Sequence, residues 1–341
     1  ALPGFQFLDF SVAPGETKKL RYTIRIPSRG DFRIGPAWIR LRGKYNLIEI
    51  QKRVLAPRGL RVYPKSASGP DELVKHVADE KVFLQKSRLS QFHGSGIEFD
   101  RITEFQPGDD IRRIDWRATA CHRQLMVRRF QLERHREVMI LLDAGRLMGS
   151  ETGTGTKLDH AVNSALLLSQ VSLMHGDRCG LAVFDSEVRR YIPPRGGMET
   201  QQLILENVYD IQTGWRETNF MPLFSKLQHR QRKRTLMIMI SDIADYETTG
   251  MFRSALNALQ ARHVVLLTAL KTPGLGHIIQ KPVKSGEDVS RKAVCLRLLR
   301  EREKGVYSLR RTGVFVLDIE PENLSVPLIN SYLKIRERNV M

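Results

Sequence analysis

Residues 138–142 form an unbroken apolar run, Val-Met-Ile-Leu-Leu, which is followed directly by Asp143. A strand without a polar side chain on either face is covered on both faces, as strands in the middle of a parallel sheet are. Further apolar runs follow at intervals long enough to hold a helix, at 179–184, 236–240, 264–267 and 314–317. This alternation predicts an α/β fold with a doubly wound, mostly parallel sheet and helices on both faces.

The segment after Asp143 carries the signals of a helix start. Thr156 and Asp159 are spaced as a capping box, in which each side chain bonds the other residue's backbone N–H. Apolar residues then recur every three or four positions from Leu158 to Leu173. This period predicts a helix over 158–173, and residues 326–336 are predicted to form a terminal helix.

The amino-terminal part of the chain has a different character. In residues 20–26 apolar and polar side chains mostly alternate, which is the period of a half-buried strand. Together with the turn residues that follow, this predicts a small all-β, sandwich-like domain over 1–65. Residues 66–95 begin with Ser-Ala-Ser-Gly-Pro and predict a linker with a helix in it. The α/β domain is then expected to take up residues 96–341.

The chain is strongly basic, with 55 Lys and Arg against 37 Asp and Glu and a net charge of +18. Such an excess attracts nucleic acid, anionic lipid headgroups or an acidic protein. The densest cluster, His-Arg-Gln-Arg-Lys-Arg at 229–234, is either a solvated loop before a strand or a contact for phosphate or headgroups. Aromatic residues make up only 7% and do not interleave with a basic stripe, which argues against a nucleic acid partner.

Three widely spaced cysteines fit neither a disulfide framework nor a zinc motif, and they suit a reducing compartment. No run of eighteen or more apolar residues occurs. We therefore expect a cytoplasmic protein. Because the chain starts at Ala1, the alternative is a protein anchored at the inner membrane through an N-terminal segment removed before that residue.

Two of the predicted strands end in carboxylates, Asp143 and Asp242, and the loop between them carries Thr218 and Asn219. In doubly wound sheets, ligands bind beyond the carboxyl ends of the strands at the topological switch point. Two carboxylates and a hydroxyl that converge there form a set of hard oxygen ligands suited to Mg²⁺. The order strand-Asp, loop-Thr, strand-Asp resembles the metal-ion-dependent adhesion site of von Willebrand factor A domains.

This sequence departs from the Asp-x-Ser-x-Ser motif of that family, because Gly145 and Leu147 stand where both ligating serines are expected. Arg146 lies between them, and a guanidinium near the carboxylates would neutralise them. We therefore expect no bound cofactor, with Asp143 and Asp242 capping loops or pairing with Arg146. A degenerate Mg²⁺ site formed by Asp143, Thr218 and Asp242 is the alternative. Arg146 and Asn219 are candidates for binding a partner.

A second motif runs through residues 94–116, where Pro-Gly-Asp-Asp-Ile-Arg-Arg-Ile-Asp-Trp occupies 107–116. This segment closely resembles the bacterial family catalogued as domain of unknown function 58, which the chain matches well over roughly residues 90–245. In the β-part, Lys-Tyr-Asn-Leu at 44–47 departs from that family's usual segment. The residues that carry the resemblance are Gly96, Glu98, Phe99, Arg101, Gly108, Asp109, Asp110, Arg112, Asp115 and Trp116.

Three roles are open for this family motif. Asp109 or Asp110 is expected to cap a short helix by accepting backbone N–H bonds. With Trp116 buried against the α/β domain, the element would then be a rigid anchor. Alternatively, Trp116 and Arg112 form a surface for a partner, since Trp and Arg are favoured at binding hot spots. A catalytic carboxylate site is the third role.

Known catalytic patterns are missing from the sequence. It contains no Walker-type loop, no Gly-x-Ser-x-Gly elbow and no evident Cys–His pair. Gly-Thr-Gly-Thr-Lys at 153–157 lacks the spacing of a phosphate loop and is expected to be a flexible connection. These features predict a protein that is not an enzyme.

The family resemblance implies a partner. Its members are similar to proteins that act together with MoxR-type AAA+ ATPases. We therefore expect this protein to be an adaptor or substrate receptor in a chaperone-like remodelling system. Two alternatives belong to other classes. One is a protein that binds nucleic acid or an anionic membrane surface, and the other is a metal-dependent hydrolase that uses Asp143, Asp242 and Asp109 or Asp110.

Overall fold

The computed structural model describes residues 28–42, 48–55, 57–64, 98–106, 111, 114–122, 124–131, 136–242 and 246–337, with isolated positions before 28. Its main body is a six-stranded sheet with helices on both faces. In spatial order the strands are β11 (Val188–Arg195), β10 (Arg178–Phe184), β7 (Glu137–Asp143), β12 (Thr235–Ser241), β13 (Val264–Leu270) and β14 (Phe315–Ile319). All neighbours are parallel except the edge strand β11, which is antiparallel to β10.

Eight helices are present in the described residues. They are α1 (Trp116–His122), α2 (Lys157–Met174), α3 (Glu199–Val208), α4 (Phe220–Arg230), α5 (Tyr246–Gln260), α6 (Leu275–Gln280), α7 (Gly286–Arg310) and α8 (Ser325–Glu337). The predicted helix after Asp143 is α2, which begins with the predicted capping box between Thr156 and Asp159. The predicted terminal helix is α8.

The central strands alternate their side chains between two cores. Val138 and Ile140 pack into the core on one face of the sheet, whereas Met139 and Leu141 pack into the core on the other. The apolar run at 138–142 therefore does what its composition predicts, because β7 lies between β10 and β12 with both faces covered. The α/β, doubly wound and mostly parallel fold predicted from the sequence is confirmed.

Strand order places the switch point of the sheet between β7 and β12. Numbered along this domain, the six strands lie in the order 3-2-1-4-5-6, in which the connections reverse direction between the first and fourth strands. β7 ends at Asp143 and β12 is followed by Asp242. Both carboxylates are thus brought to the point where this architecture binds ligands.

Smaller strands precede the sheet. β1 (Gly30–Ile34) pairs with β4 (Arg58–Val62), and β2 (Ala37–Arg42) pairs with β3 (Glu49–Leu55), both antiparallel. Farther along the chain, β5 (Glu98–Glu104) and β6 (Met126–Gln131) form a separate antiparallel pair. The predicted linker at 66–95 lies outside the described residues, as does much of the strand predicted at 20–26.

Side chains in and next to the amino-terminal strands contact the α/β body. The Tyr63 hydroxyl donates to Glu206 at 2.9 Å, and that of Tyr209 donates to Asp31 at 3.2 Å. The Arg29 guanidinium is largely buried, forms an ion pair with Asp159, and donates to the carbonyl of Ile211. Arg29 thus connects the β-part to the acidic residue of the capping box of α2.

None of the helices in the described parts of the chain is both long and apolar enough to cross a bilayer.

Candidate functional site

Asp143 is buried at the end of β7 and its carboxylate accepts three hydrogen bonds. Oδ1 accepts from the backbone N–H of Gly145 and from the hydroxyl of Thr218, each at 2.8 Å. Oδ2 accepts from the hydroxyl of Ser241 at 2.6 Å. Burial raises the pKa of Asp143 to about 6, although these three hydrogen bonds act in the opposite direction.

Gly145 explains why the serine of the adhesion-site motif is missing. A Cβ added at this position would overlap the Thr218 hydroxyl and lie 3.1 Å from Asp143 Oδ1. The space that a serine would fill is therefore taken by Thr218, which bonds the same carboxylate. Thr218 is held there because the next residue, Asn219, caps α4 by accepting from the N–H of Met221 at 3.0 Å.

Asp242 lies between two buried cations. Its Oδ2 accepts from Lys157 Nζ at 2.5 Å, and its Oδ1 accepts from Arg302 Nη1 at 3.0 Å. Lys157 also donates to the hydroxyl of Thr272 at 3.0 Å, and Arg302 also donates to Asp318 at 2.8 Å. Burial lowers the pKa of Lys157, while the charge and hydrogen bond of Asp242 raise it.

The expectation that Arg146 neutralises the carboxylates is wrong. Its guanidinium instead pairs with Glu217 at 3.2 Å, and its side chain is 54% exposed. Arg146 starts a 3₁₀ turn, Arg146–Gly149, and its N–H donates to the carbonyl of Arg216 at 3.1 Å. These constraints aim the side chain away from the sheet, and Lys157 takes the role that was expected of Arg146.

Lys157 belongs to the segment predicted to be a flexible connection, and that prediction is also wrong. Glu151–Thr152 and Gly155–Thr156 form a short antiparallel ribbon, β8 and β9, that leads directly into α2. A lysine in the first turn of a helix faces the positive end of the helix dipole, which disfavours a cation. Its place beside a capping threonine was the sequence signal that this ammonium has a buried partner.

The donors around the two carboxylates do not fit a divalent cation. Both oxygens of Asp143 face N–H or O–H donors, and both oxygens of Asp242 face cations. A Mg²⁺ ion would have to displace these donors and would lie near the ammonium of Lys157. Within the described ranges, no three His, Cys, Asp or Glu side chains are grouped as metal ligands would be.

The family motif is only partly described. Asp115 caps α1 by accepting from the N–H groups of Arg117 and Ala118 at 3.0 and 3.1 Å. Trp116 is 68% exposed, so the prediction that it is a buried anchor is wrong. It starts a seven-residue helix that Asp115 caps. Glu98, Phe99 and Arg101 lie in β5, whereas Gly96, Gly108, Asp109, Asp110 and Arg112 lie outside the described residues.

Trp215 was not identified from the sequence, although it is 92% exposed beside the site. Its loop is fixed to the sheet because the N–H of Gly214 donates to the carbonyl of Ala144 at 2.7 Å. A Cβ at Gly214 would collide with Arg189 and come within 2.8 Å of Asp185, so glycine permits this approach. Trp215 lines a groove of about 450 Å³ with Asp185 and Arg189.

A family model described as Protein of unknown function DUF58 matches residues 101–278, which is more than half of the chain. The chain belongs to this family. The matched segment of this DUF58 protein includes Asp143, Lys157, Thr218 and Asp242, whereas Arg302 lies beyond it.

Uncharacterized proteins of Mycobacterium bovis and Mycobacterium tuberculosis are similar to this DUF58 protein. Each is 26% identical to it over 212 residues, which cover 60% of this chain and 66% of the relative. The chain therefore spans just under two thirds of the length of these curated relatives.

Three solved structures are similar to this chain over nearly the whole of the solved chain. An aerotolerance-related membrane protein from Bacteroides fragilis is 14% identical, with 58% of this chain and 98% of that chain covered and a TM-score of 0.37. The SpRpn10 VWA domain is 11% identical, with coverages of 57% and 94% and a TM-score of 0.37. BatB from Bacteroides thetaiotaomicron is 12% identical, with coverages of 59% and 99% and a TM-score of 0.35. The strand order of the sheet is that of a doubly wound α/β fold.

Proposed function

We propose that this DUF58 protein is a non-enzymatic adaptor that binds a partner protein at the carboxyl end of its six-stranded sheet. One observation carries the proposal. The buried carboxylates Asp143 and Asp242 are bonded by the chain's own groups, while an aromatic ring and two guanidinium groups lie exposed around them.

The exposed residues form what we call the rim patch, which consists of Arg146, Leu147, Trp215, Arg216 and Met221. Trp215 is 92% exposed, and the other two apolar side chains are between one third and one half exposed. Trp and Arg are enriched at the hot spots of protein interfaces. An exposed tryptophan next to further apolar groups favours a site that a partner covers.

The arginines of the rim patch form ion pairs in which a carboxylate of a partner would replace the glutamate. Arg146 pairs with Glu217, and Arg216 lies 3.7 Å from Glu187, with all four side chains more than half exposed. Exposed pairs of this kind stabilise the fold by less than about 1 kcal/mol. A partner carboxylate can therefore replace Glu217 or Glu187 at small cost, and the planar guanidinium groups would bind it in a bidentate manner.

For the identity of the partner, the family resemblance points to a MoxR-type AAA+ ATPase in a chaperone-like remodelling system. In such a system this protein would be the partner or the substrate receptor of the ATPase. The alternative of a metal-dependent hydrolase has less support, because a general base needs an oxygen within reach of its substrate. The oxygens of Asp143 are bonded to Gly145, Thr218 and Ser241 instead.

The proposal is tested by measuring binding of a MoxR-type ATPase, with and without ATP, to Trp215→Ala and to Trp116→Ala. Both tryptophans are exposed, but Trp116 lies in α1, outside the rim patch. We expect Trp215→Ala to weaken binding about 30-fold, which corresponds to a hot-spot loss of about 2 kcal/mol. Trp116→Ala is expected to bind like the parent. Loss of binding in Trp116→Ala alone would assign the interface to the family motif instead.

A further inference from the structure

The amino end of the six-stranded sheet, opposite the rim patch, carries a concentration of exposed cations. Arg178 begins β10, Arg195 ends the antiparallel β11, residues 232–234 (Arg-Lys-Arg) precede β12, and Arg262 lies two residues before β13. All six side chains are exposed. We call these six residues the basic end.

Carboxylates at the same end do little to offset this charge. Glu137 is 10% exposed and is shared by Arg178 at 4.0 Å and Lys233 at 3.8 Å. Asp177 is buried, where it accepts from the Tyr332 hydroxyl and from Arg336. In the part of this end that the structure describes, the exposed carboxylates are Glu199 and Glu337. The basic end is therefore cationic on its outer surface.

Helix ends account for only part of this arrangement. In a doubly wound fold the helices return to the amino end of the sheet, and a cation near each helix C-terminus offsets the helix dipole. Arg230 already lies in the last turn of α4, and residues 232–234 add three more cations within four positions. This number exceeds what one helix end needs.

The distribution of the cations favours a flat anionic partner. The basic residues come from four separate strand ends, and six strands spaced about 4.8 Å apart span roughly 25 Å. Single-stranded nucleic acid is bound along a groove with successive stacking rings. Among the residues that the structure describes here, the exposed apolar side chains are instead Met174 at the end of α2, Met198 in the turn before α3, and Phe315 at the start of β14. Cations with scattered apolar side chains are typical of surfaces that lie on lipid headgroups.

We propose that the basic end docks on an anionic bilayer surface. The lipid phosphates would then contact the six cations, and the side chains of Met174 and Met198 would reach the headgroup layer. One of these cations, Arg178, lies next to the turn that carries Met198. A Cβ added at Gly196 in that turn would be 3.9 Å from Arg178 Cγ. Since the rim patch lies at the other end of the sheet, it would face away from the bilayer and stay open to a partner.

Binding to vesicles tests this inference with the whole chain. Phosphatidylcholine vesicles with and without phosphatidylglycerol are the probes, at low and high salt, and double-stranded DNA is the competing polyanion. The variant combines Arg195→Gln, Arg232→Gln and Arg262→Gln. Its matched control combines Lys271→Gln, Lys281→Gln and Lys284→Gln, which remove the same charge from the carboxyl side of the sheet. Melting temperatures of both variants establish that they fold.

Each cation near an anionic bilayer strengthens binding about fivefold, so we expect the variant to bind anionic vesicles on the order of 100-fold more weakly. The control is expected to bind like the parent, and high salt is expected to release the parent. Equal loss in both variants would overturn the proposal, because net charge alone would then explain binding. Equal binding to neutral vesicles, or tighter binding to DNA that depends on the same three arginines, would also overturn it. We expect the triple arginine variant to bind the ATPase like the parent, so failure of this proposal can be told apart from failure of the proposed function.

Discussion

Lys157 Nζ lies 2.5 Å from Asp242 Oδ2, and both side chains are buried. The ammonium thus supplies a fixed positive charge next to the switch point of the sheet, where related folds bind ligands. Arg302 holds the other oxygen of Asp242 and links it to Asp318 at the end region of β14. The two cations give this carboxylate the charge compensation that a metal ion gives in an adhesion site.

Replacement of Lys157 by Met is expected to destabilise the protein strongly. Removal of one partner leaves a buried charge without full compensation, which costs about 3–5 kcal/mol. Chemical denaturation measures the free energy of unfolding. Lys281→Met, at an exposed position, is the control and is expected to leave that free energy unchanged. If both variants unfold alike, the Lys157–Asp242 pair is not a structural element.

Mg²⁺ and Mn²⁺ are expected to bind the Asp143 region weakly or not at all. Its carboxylate oxygens are occupied by Gly145, Thr218 and Ser241, and a cation would meet the charge of Lys157 nearby. Calorimetric titration with both ions measures the affinity. Micromolar binding that disappears in Asp143→Ala would contradict this expectation.

The raised pKa of Asp143 predicts a pH-dependent stability. In the folded protein this carboxyl holds its proton up to about pH 6, whereas its ordinary pKa is 3.8. The folded state therefore binds more protons between these values, and its stability falls as the pH rises from 3.8 to about 6. The loss from this group is about 3 kcal/mol.

Asp143→Asn removes this titration while keeping the shape of the side chain. We expect the difference in unfolding free energy between variant and parent to move in favour of the variant as the pH rises through that range. Glu187→Gln, at an exposed carboxylate, serves as the control and should show no such change. A difference that stays constant with pH would mean that Asp143 titrates normally.

The exposed position of Trp116 and the capping role of Asp115 predict opposite effects from neighbouring substitutions. Trp116→Ala should change the free energy of unfolding by less than about 0.5 kcal/mol, as surface substitutions do. Asp115→Ala removes two hydrogen bonds at the start of α1 and should cost about 1 kcal/mol. Thermal melting compares the two. A larger loss in Trp116→Ala would restore the view that this ring is a buried anchor.

Local sequence pattern identified the central strands, because β7 and β12 carry short apolar runs on both faces, as buried parallel strands do. It missed the edge strand β11, whose arginines and paired prolines break the apolar pattern; proline is tolerated there because an edge strand has one unpaired side. The helix α7 was also missed, since its first half is mostly exposed and shows no apolar stripe.

Of the site, only the residues that follow directly from the ends of the strands could be predicted from the sequence. The positions of Asp143 and Asp242 follow from the parallel topology, but their partners follow from tertiary packing. Lys157 is 85 positions from Asp242 along the chain, and Arg302 is 60 positions away. Likewise, whether Trp215 is buried or exposed depends on how its loop is bonded to Ala144, which no local pattern reports.

The proposed partner face is tested most directly by Arg146→Glu, with binding to a MoxR-type ATPase and thermal melting measured on the same preparation. Arg146 forms its ion pair with an exposed carboxylate, Glu217, so the variant should melt within a few degrees of the parent. Opposing like charges at an interface should weaken binding at least tenfold. Glu217→Gln is the control, which removes the internal pair but keeps the guanidinium, and it should bind as well as the parent or better. A stably folded Arg146→Glu protein that binds the ATPase unchanged would contradict the account and move the interface away from the rim patch.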